Sequence, residues 1–435
     1  MHWLLIGYMF LFIDRPFEVW PWLGDLHVER VYMLLTLAVW MVAPGKRFLP
    51  NIQQAAYAAL ALAVLFAWIA SPWNEQGQPA VEDWLKIVVF YVLLTTTVND
   101  ERKLKIVVVG FVAVMGLYLA HSFREYLGGR HTYRMGIARM IGVDKTLGDP
   151  NSFGASIVFV LPFIPALWRA GVGGRPGKLL LLAFAGLCAL CILLTGSRSS
   201  LLGMIVWGLM LLVRVRRAWL WALVAAALAP VAFLALPESL QNRFETIVNP
   251  EAGPESARES GDGRIEGFFK GLDLWSSSPL TGVGPGAWRP ATKSKIESHN
   301  LYGQLVGETG LVGLGAYVLL LGSYVANLRR VRQYRDPEYP GDFLTQLGSA
   351  IGTSVVLLLV MGMFGHNLFR FTWLWYGGFL IIAVHCLRQR PAPVDDEPID
   401  LVPAMVAGWR IDAPSDLPRP RLRPETASLL GAPPR

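Results

Sequence analysis

The chain of 435 residues is 53% hydrophobic and only 16% charged, with mean hydropathy +0.41 and formal charge +7. Soluble domains carry about 25% charged residues, so an ordinary soluble enzyme is excluded. The basic residues are scattered through short loops between apolar runs, which excludes a nucleic-acid surface and reads as a topology signal.

In chain order, apolar runs predict twelve membrane spans, at roughly 2–13, 29–43, 55–70, 81–97, 104–120, 153–168, 179–195, 199–213, 219–236, 301–328, 343–363 and 373–387. The first lacks a basic leader and a small-residue cleavage site, so it is expected to be a retained span. Alternate loops hold Lys46/Arg47, Arg102/Lys103/Lys105, Arg169/Arg175/Lys178, Arg214/Arg216/Arg217 and Arg329/Arg330/Arg332/Arg335. The positive-inside rule makes that set cytoplasmic, with both termini inside. The expected fold is an all-α polytopic transmembrane helical bundle. Helices fill 1–120; 121–236 adds helices and a basic outward loop; 237–300 is a long outward loop; 301–390 completes the bundle. A Pro-rich and charged tail, 391–435, is expected to be disordered.

Two outward segments are unusual. The 121–152 loop carries Arg124, Arg130, Arg134, Arg139 and Lys145, against the charge rule, and an anionic ligand would account for them. The 237–300 loop is rich in Gly, Pro and Ser near 249–263. From Arg264 to Trp275 its apolar spacing then fits an amphipathic helix on the membrane surface. Cys188 and Cys191 form a C-x-x-C inside an apolar run; small packing residues fit that position better than redox or metal chemistry. Cys386 is likewise apolar in context, and no disulfide framework follows.

Four groups share the outward face. In TGSRSS, Ser197 is placed to cap a helix and Arg198 to sit in its first turn, where free N–H groups and a guanidinium favour phosphate. The alternative is an arginine anchoring a turn by snorkelling. Arg264 in GDGRIEG is either a ligand for the same charge or a loop arginine paired with Asp262 or Glu266. His299 in ESHNLYGQ stands at a helix start beside Asn300. It is a plausible general base, or a capping histidine bonded to headgroups. Asp149-Pro150-Asn151 is a natural helix start, for which the structural reading suffices. Arg124, Arg139, Asp149, Asn151, Ser197, Asn300, and His366 in the short outward loop 364–372, are the candidate substrate-binding residues. No Asp-x-Asp pair or His/Asp cluster with metal spacing lies on this face, so neither metal nor cofactor is expected. GVGPGAW (282–288) lacks the Lys-Ser/Thr of a phosphate loop and reads as a turn.

Taken in order, GDPNSFG, TGSRSSLLG and a long loop ending in ESHNLYGQLVGETGLVG resemble the O-antigen ligase and polymerase family of bacterial polytopic membrane glycosyltransferases, over about residues 145–385. The resemblance implies a multi-pass protein of the bacterial inner membrane with its site facing the periplasm. It further implies transfer of a glycan from an undecaprenyl-diphosphate-linked donor to an acceptor hydroxyl, on lipid A core or elsewhere. By matching motif, His299 is the catalytic base, and Arg198 and Arg264 handle the diphosphate. The expected partners are the lipid-linked glycan, its acceptor and membrane lipid, with no nucleic acid. A polymerase or protein oligosaccharyltransferase within the family, or a transporter outside it, are the alternatives. The modest size of the 237–300 loop favours a ligase, and spans nearly free of charge at their centres disfavour a transporter.

Overall fold

The computed structural model describes residues 1–390, apart from 135–136, 145–147, 216, 246–248, 250–254, 295–296 and 337–338. Lys145, the side chain of Arg134 and the tail 391–435 therefore lie outside the described residues.

The described chain begins with α1 (His2–Ile13), short turns α2 (Pro16–Val19) and α3 (Pro21–Asp25), then α4 (Val28–Val42), α5 (Ile52–Ile69), α6 (Asn74–Thr97) and α7 (Glu101–Leu127). An antiparallel hairpin follows, β1 (His131–Arg134) with β2 (Ile137–Met140), in the register His131 opposite Met140. Next come α8 (Pro150–Val160), α9 (Phe163–Arg169), α10 (Gly174–Thr195), α11 (Arg198–Leu212) and α12 (Ala218–Leu234). The connection before α16 contains α13 (Glu238–Glu245), α14 (Glu255–Ser277) and α15 (Trp288–Thr292), and the described chain closes with α16 (Leu301–Gln333), α17 (Phe343–Gly362) and α18 (Phe371–Arg388).

Seven of these are long and apolar enough to cross a membrane: α5, α7, α8–α9 together, α10, α16, α17 and α18. A helix stands at every one of the twelve expected spans, but α1, α4, α11 and α12 have only 12, 15, 15 and 17 residues. The fifth, α6, is long but carries Glu75, Glu82, Asp83 and Lys86 in its first half. Large apolar side chains stay exposed along the crossing helices, among them Leu62 and Phe66 on α5 and Leu179, Leu180 and Leu182 on α10. Such surface suits lipid, not water.

Capping residues set the helix starts: Asn51 accepts from the Gln53 amide, Asp100 from Lys103 and Asp342 from Thr345. The core centres on α18, whose Trp373, Trp375, Tyr376 and Phe379 are buried. The hydroxyls of Tyr57 on α5 and Tyr324 on α16 both donate to the Trp373 carbonyl, joining three helices. At the opposite end from the candidate residues, Arg390 pairs with Glu101 at 3.0 Å and Asp342 at 2.6 Å, tying α18 to the starts of α7 and α17.

Four expectations are corrected. The 121–152 segment is not wholly loop, since α7 runs on to Leu127 and a hairpin follows, which adds a small sheet to the otherwise helical described residues. The surface helix expected from Arg264 begins at Glu255. One apolar run is divided at Leu161–Pro162, where Pro162 cannot donate the bond that would continue α8. Finally, α16 is not free of charge inside, because it holds Glu308 at 1% exposure.

Two contacts give α14 and α16 their placement. First, glycines face each other across the pair: a methyl group at Gly303 would meet the Gly267 carbonyl oxygen at 2.5 Å, and one at Gly271 the Gly303 carbonyl carbon at 2.6 Å. The two backbones therefore approach as only glycine permits. Second, α16 is interrupted at Gly310, with φ 60° and ψ −158°. The loop 279–284 fills that gap. Val283 and Gly284 donate to the Gly307 and Glu308 carbonyls at 2.8 and 3.0 Å, while Leu311 and Val312 donate to the Pro279 and Leu280 carbonyls at 2.9 and 3.1 Å. Gly282–Gly284 of this loop begin the GVGPGAW segment, which turns at 285–286 before α15, as expected.

Candidate active site

Three helix starts converge with the loop that precedes α18. At α8, Pro150 occupies the first helical position and Asp149 accepts from the Asn151 and Ser152 amides at 3.0 and 3.2 Å. At α11, the Ser197 hydroxyl accepts from the Ser200 amide at 3.3 Å, after a left-handed Gly196 ends α10. At α16, Asn300 Oδ1 accepts from Tyr302 and Gly303 amides at 2.9 and 3.1 Å. The sequence pattern Asp-Pro-Asn, Ser-Arg-Ser, His-Asn thus gives three positive helix ends directed at one region.

His299 sits just before the Asn300 cap, in a left-handed conformation (φ 46°) that turns the chain into α16. Its ring lies 5.6 Å from that of His366, tilted by 43°. Both line a small cleft of about 40 Å³, together with Asp149, Asn151, Ser199 and Arg370. His366 is closed in by protein on most sides while the cleft wets part of its ring. Burial, then neighbouring His299 and Arg370, push it down to about 4 against the opposing pull of Asp149. It is neutral at physiological pH.

Arg264 belongs to the same region. It lies one turn before Gly267 on α14, so the close glycine crossing carries it to the start of α16. There its own carbonyl accepts from Asn300 Nδ2 at 3.4 Å, and its guanidinium lies 5.4 Å from the centre of the Phe364 ring. Burial and then the charge of Arg198 lower its pKa. Arg198 is thus near enough to be felt, in the first turn of α11. Two guanidinium ions held near each other at helix N-termini create a strong preference for an anion.

The other sequence candidates divide. Asp149 and Asn151 line the cleft, although Asp149 also caps α8. Ser197 is fully buried and hydrogen-bonds Ser199 and Ser200, and Asn300 is 8% exposed, so both set helix ends rather than walls. Arg139 is 2% exposed; its Nε donates to the Thr195 carbonyl at 2.7 Å and its Nη2 to Asn151 Oδ1 at 3.0 Å, which fixes the end of α10 against α8. Arg124 stands apart: its side chain is 70% exposed and pairs with adjacent Glu125. Arg130 donates to the Val143 carbonyl at 2.6 Å. Among the described residues of that segment, Arg124, Arg130 and Arg139 thus hold three different sets of partners.

Sequence reasoning missed Arg370 and Glu308. Arg370 is 8% exposed and donates Nη1 to Ser156 Oγ at 2.9 Å and Nη2 to the Ser152 carbonyl at 3.0 Å. Burial lowers its pKa, and Asp149 leads the charges that oppose this; it stays protonated. The signal for both was an ionisable residue set in an apolar run, which is costly unless it has a role.

Residues 183–318 match a family described as O-Antigen ligase. The matched stretch contains Ser197, Arg198, Arg264, His299, Asn300 and Glu308, and ends before His366 and Arg370. No curated protein matches the chain.

Proposed function

On the premise that this multi-pass membrane chain is a member of the O-antigen ligase family, we propose that it transfers a glycan from an undecaprenyl-diphosphate-linked donor to an acceptor hydroxyl. The reaction takes place at the periplasmic face of a bacterial inner membrane. The observation that carries this reading is the meeting of Arg198, Arg264 and His299, from three separate segments, in one region. The donor is already activated by its diphosphate leaving group. His299 removes the proton from the acceptor hydroxyl, and that oxygen attacks the anomeric carbon. The carbon–oxygen bond to the diphosphate then breaks, and the leaving group's new charge is met by Arg198 and Arg264. The products are the new glycoside and undecaprenyl diphosphate, with the proton on His299. The arginines supply the positive charge, so the proposed reaction has no step that calls for a divalent cation. General-base help is worth roughly 10²–10⁴ in rate, and each charge-assisted hydrogen bond about 1.5–3 kcal/mol.

The test is transfer of labelled lipid-linked glycan by purified protein, with EDTA and with magnesium. His299→Ala should abolish transfer while donor-lipid binding stays near wild type, because the arginines carry that affinity. Arg198→Lys keeps the charge but replaces a two-pronged donor by a point charge, and should lose most of the activity. An active His299→Ala protein defeats the mechanism, as does activity lost in EDTA and restored by magnesium. The slight bulk of the 237–300 connection supports a ligase over a protein oligosaccharyltransferase, and a product spectrum showing lengthened lipid-linked glycan would make it a polymerase.

A further inference from the structure

Behind His366 lies a second, larger chamber lined by none of the three residues named in the transfer step above. It holds about 290 Å³ and shares Asp149, Ser152, His366 and Arg370 with the cleft of His299, so these residues form a common wall. Its far side is built from α16 at Gln304 and Glu308, from α6 at Asp83 and Trp84, and from Glu297 in the connection before α16.

Two buried acceptor atoms in this chamber lack donors. Gln304 is 7% exposed and Glu308 1%, yet neither Gln304 Oε1 nor Glu308 Oε1 has a hydrogen-bond partner. Their other ends are joined, with Gln304 Nε2 donating to Glu308 Oε2 at 3.1 Å, which fixes both side chains. The Gly286 and Trp288 backbone amides approach the same carboxylate, but no donor meets Oε1 in hydrogen-bond geometry. His366 Nδ1, in the shared wall, is also unpartnered. Buried acceptors are normally satisfied, so the chamber is complementary to a molecule that brings hydrogen-bond donors.

Charge and shape narrow the class. Glu29, Asp83, Asp144, Asp149, Glu297 and Glu308 line the chamber against the two arginines Arg15 and Arg370. Lys86 and Arg289 pair with Glu29, Asp83 and Glu297 from outside the lining, yet carboxyl groups still outnumber cations here, so the lining does not favour an anionic group. Trp84, Phe369 and Phe371 add flat apolar surface, and aromatic faces combined with carboxylate and amide acceptors suit the C–H faces and hydroxyls of a sugar ring. We propose that the chamber binds a neutral or amine-bearing sugar unit, whose hydroxyls donate to Glu308 and Gln304, and that this is the acceptor subsite. The term acceptor rests on the transfer reading above; the sugar binding does not. In this arrangement the acceptor sugar lies beside His366, and its reacting hydroxyl reaches His299 in the cleft past the shared wall of Asp149, Ser152, His366 and Arg370.

The experiment measures binding without any lipid-linked donor, so the fate of the transfer reading does not affect it. The full chain in lipid nanodiscs is titrated with three soluble trisaccharides, one neutral, one with an amino sugar and one with a uronic acid, and followed by saturation-transfer NMR. The neutral and amino sugars are expected to bind, with the uronic acid at least about ten-fold weaker. Glu308→Gln and Gln304→Leu are each expected to weaken binding about ten-fold, and Gln304→Leu serves if the glutamate variant fails to insert. Equal binding of the uronic acid overturns the proposal, as do variants that bind like wild type. Absence of signal from all three sugars also overturns it, since the chamber then holds only water.

Discussion

His366 is the residue whose surroundings make the sharpest demand on solution conditions. Unfolded, an imidazole takes its proton near pH 6.5; folded, this one takes it only near 4, against burial and the charges of His299, Arg370 and Arg289, with Asp149 opposing. Between those values the unfolded chain holds more protons. The contribution to stability is therefore complete above about pH 6.5 and is lost as the pH falls toward 4, by about 3 kcal/mol in all. Unfolding of the detergent-solubilised protein followed from pH 7 to 4 should show this slope, and His366→Gln should flatten it; an unchanged slope would remove His366 as its source. The same scale shows what a sequence can and cannot disclose. His299 and Arg198 drew attention in the sequence as basic side chains at expected helix starts, and Arg264 as the residue leading an expected amphipathic helix; the resemblance joined the three. Arg124 and Arg139 looked equivalent, as charges counted in one outward segment. Their difference, a side chain paired with Glu125 in water versus one buried under Thr195 and Asn151, depends on which helices meet. Arg370 stands between two phenylalanines and drew no reading from the sequence. Its role became visible only when α8 supplied Ser152 and Ser156 to hold it.

At the scale of elements, the interruption of α16 positions the site more than any single cap does. An unbroken helix would bond the Gly307 and Glu308 carbonyls to the Leu311 and Val312 amides. Here all four groups are taken by the loop 279–284, so backbone inside a membrane-length helix remains satisfied, as it must be. The break leaves Glu308 at the end of the first segment, facing the chamber. Gly310, with φ 60° and ψ −158°, occupies a region essentially restricted to glycine, and an added methyl group would meet the Leu280 carbonyl carbon at 2.5 Å. Gly310→Ala should therefore cost about 1–3 kcal/mol and lower the thermal midpoint in detergent, whereas Gly315→Ala, with open space around it, should be nearly silent. Equal midpoints for the two variants would show that the interruption is not required. Periodicity could not show this break. The run from Leu301 onward is apolar on both sides of Gly310, and a glycine within it is compatible with an ordinary helix. Boundaries failed for a related reason at α7 and α14, whose ends project beyond the apolar stretch into polar sequence.

The whole molecule is held to one arrangement by the direction of α16. Its first end carries Asn300 and, just before it, His299; its last turn carries Arg330 and Arg332. After the break at Gly310, the residues from Leu311 to Gln333 at 1.5 Å each give a helix of about 35 Å, long enough to pass a hydrocarbon core of about 30 Å. If the charge rule holds, the arginine end is cytoplasmic and every candidate residue faces out. The twelve-span reading puts both termini on the arginine side, together with the Arg390 pairs to Glu101 and Asp342. The native cysteines, Cys188, Cys191 and Cys386, are all buried, so introduced thiols can be read against a low background. A membrane-impermeant maleimide added to intact spheroplasts should label Glu266→Cys, exposed on α14, and should label Arg332→Cys only after the membrane is opened. The distinction has consequences for the chemistry, because a site on the cytoplasmic side would face soluble nucleotide-activated sugars, and a donor carrying its own lipid diphosphate would have no advantage there. Labelling in the reverse order would move the site to that side, and the proposed donor would fail with it.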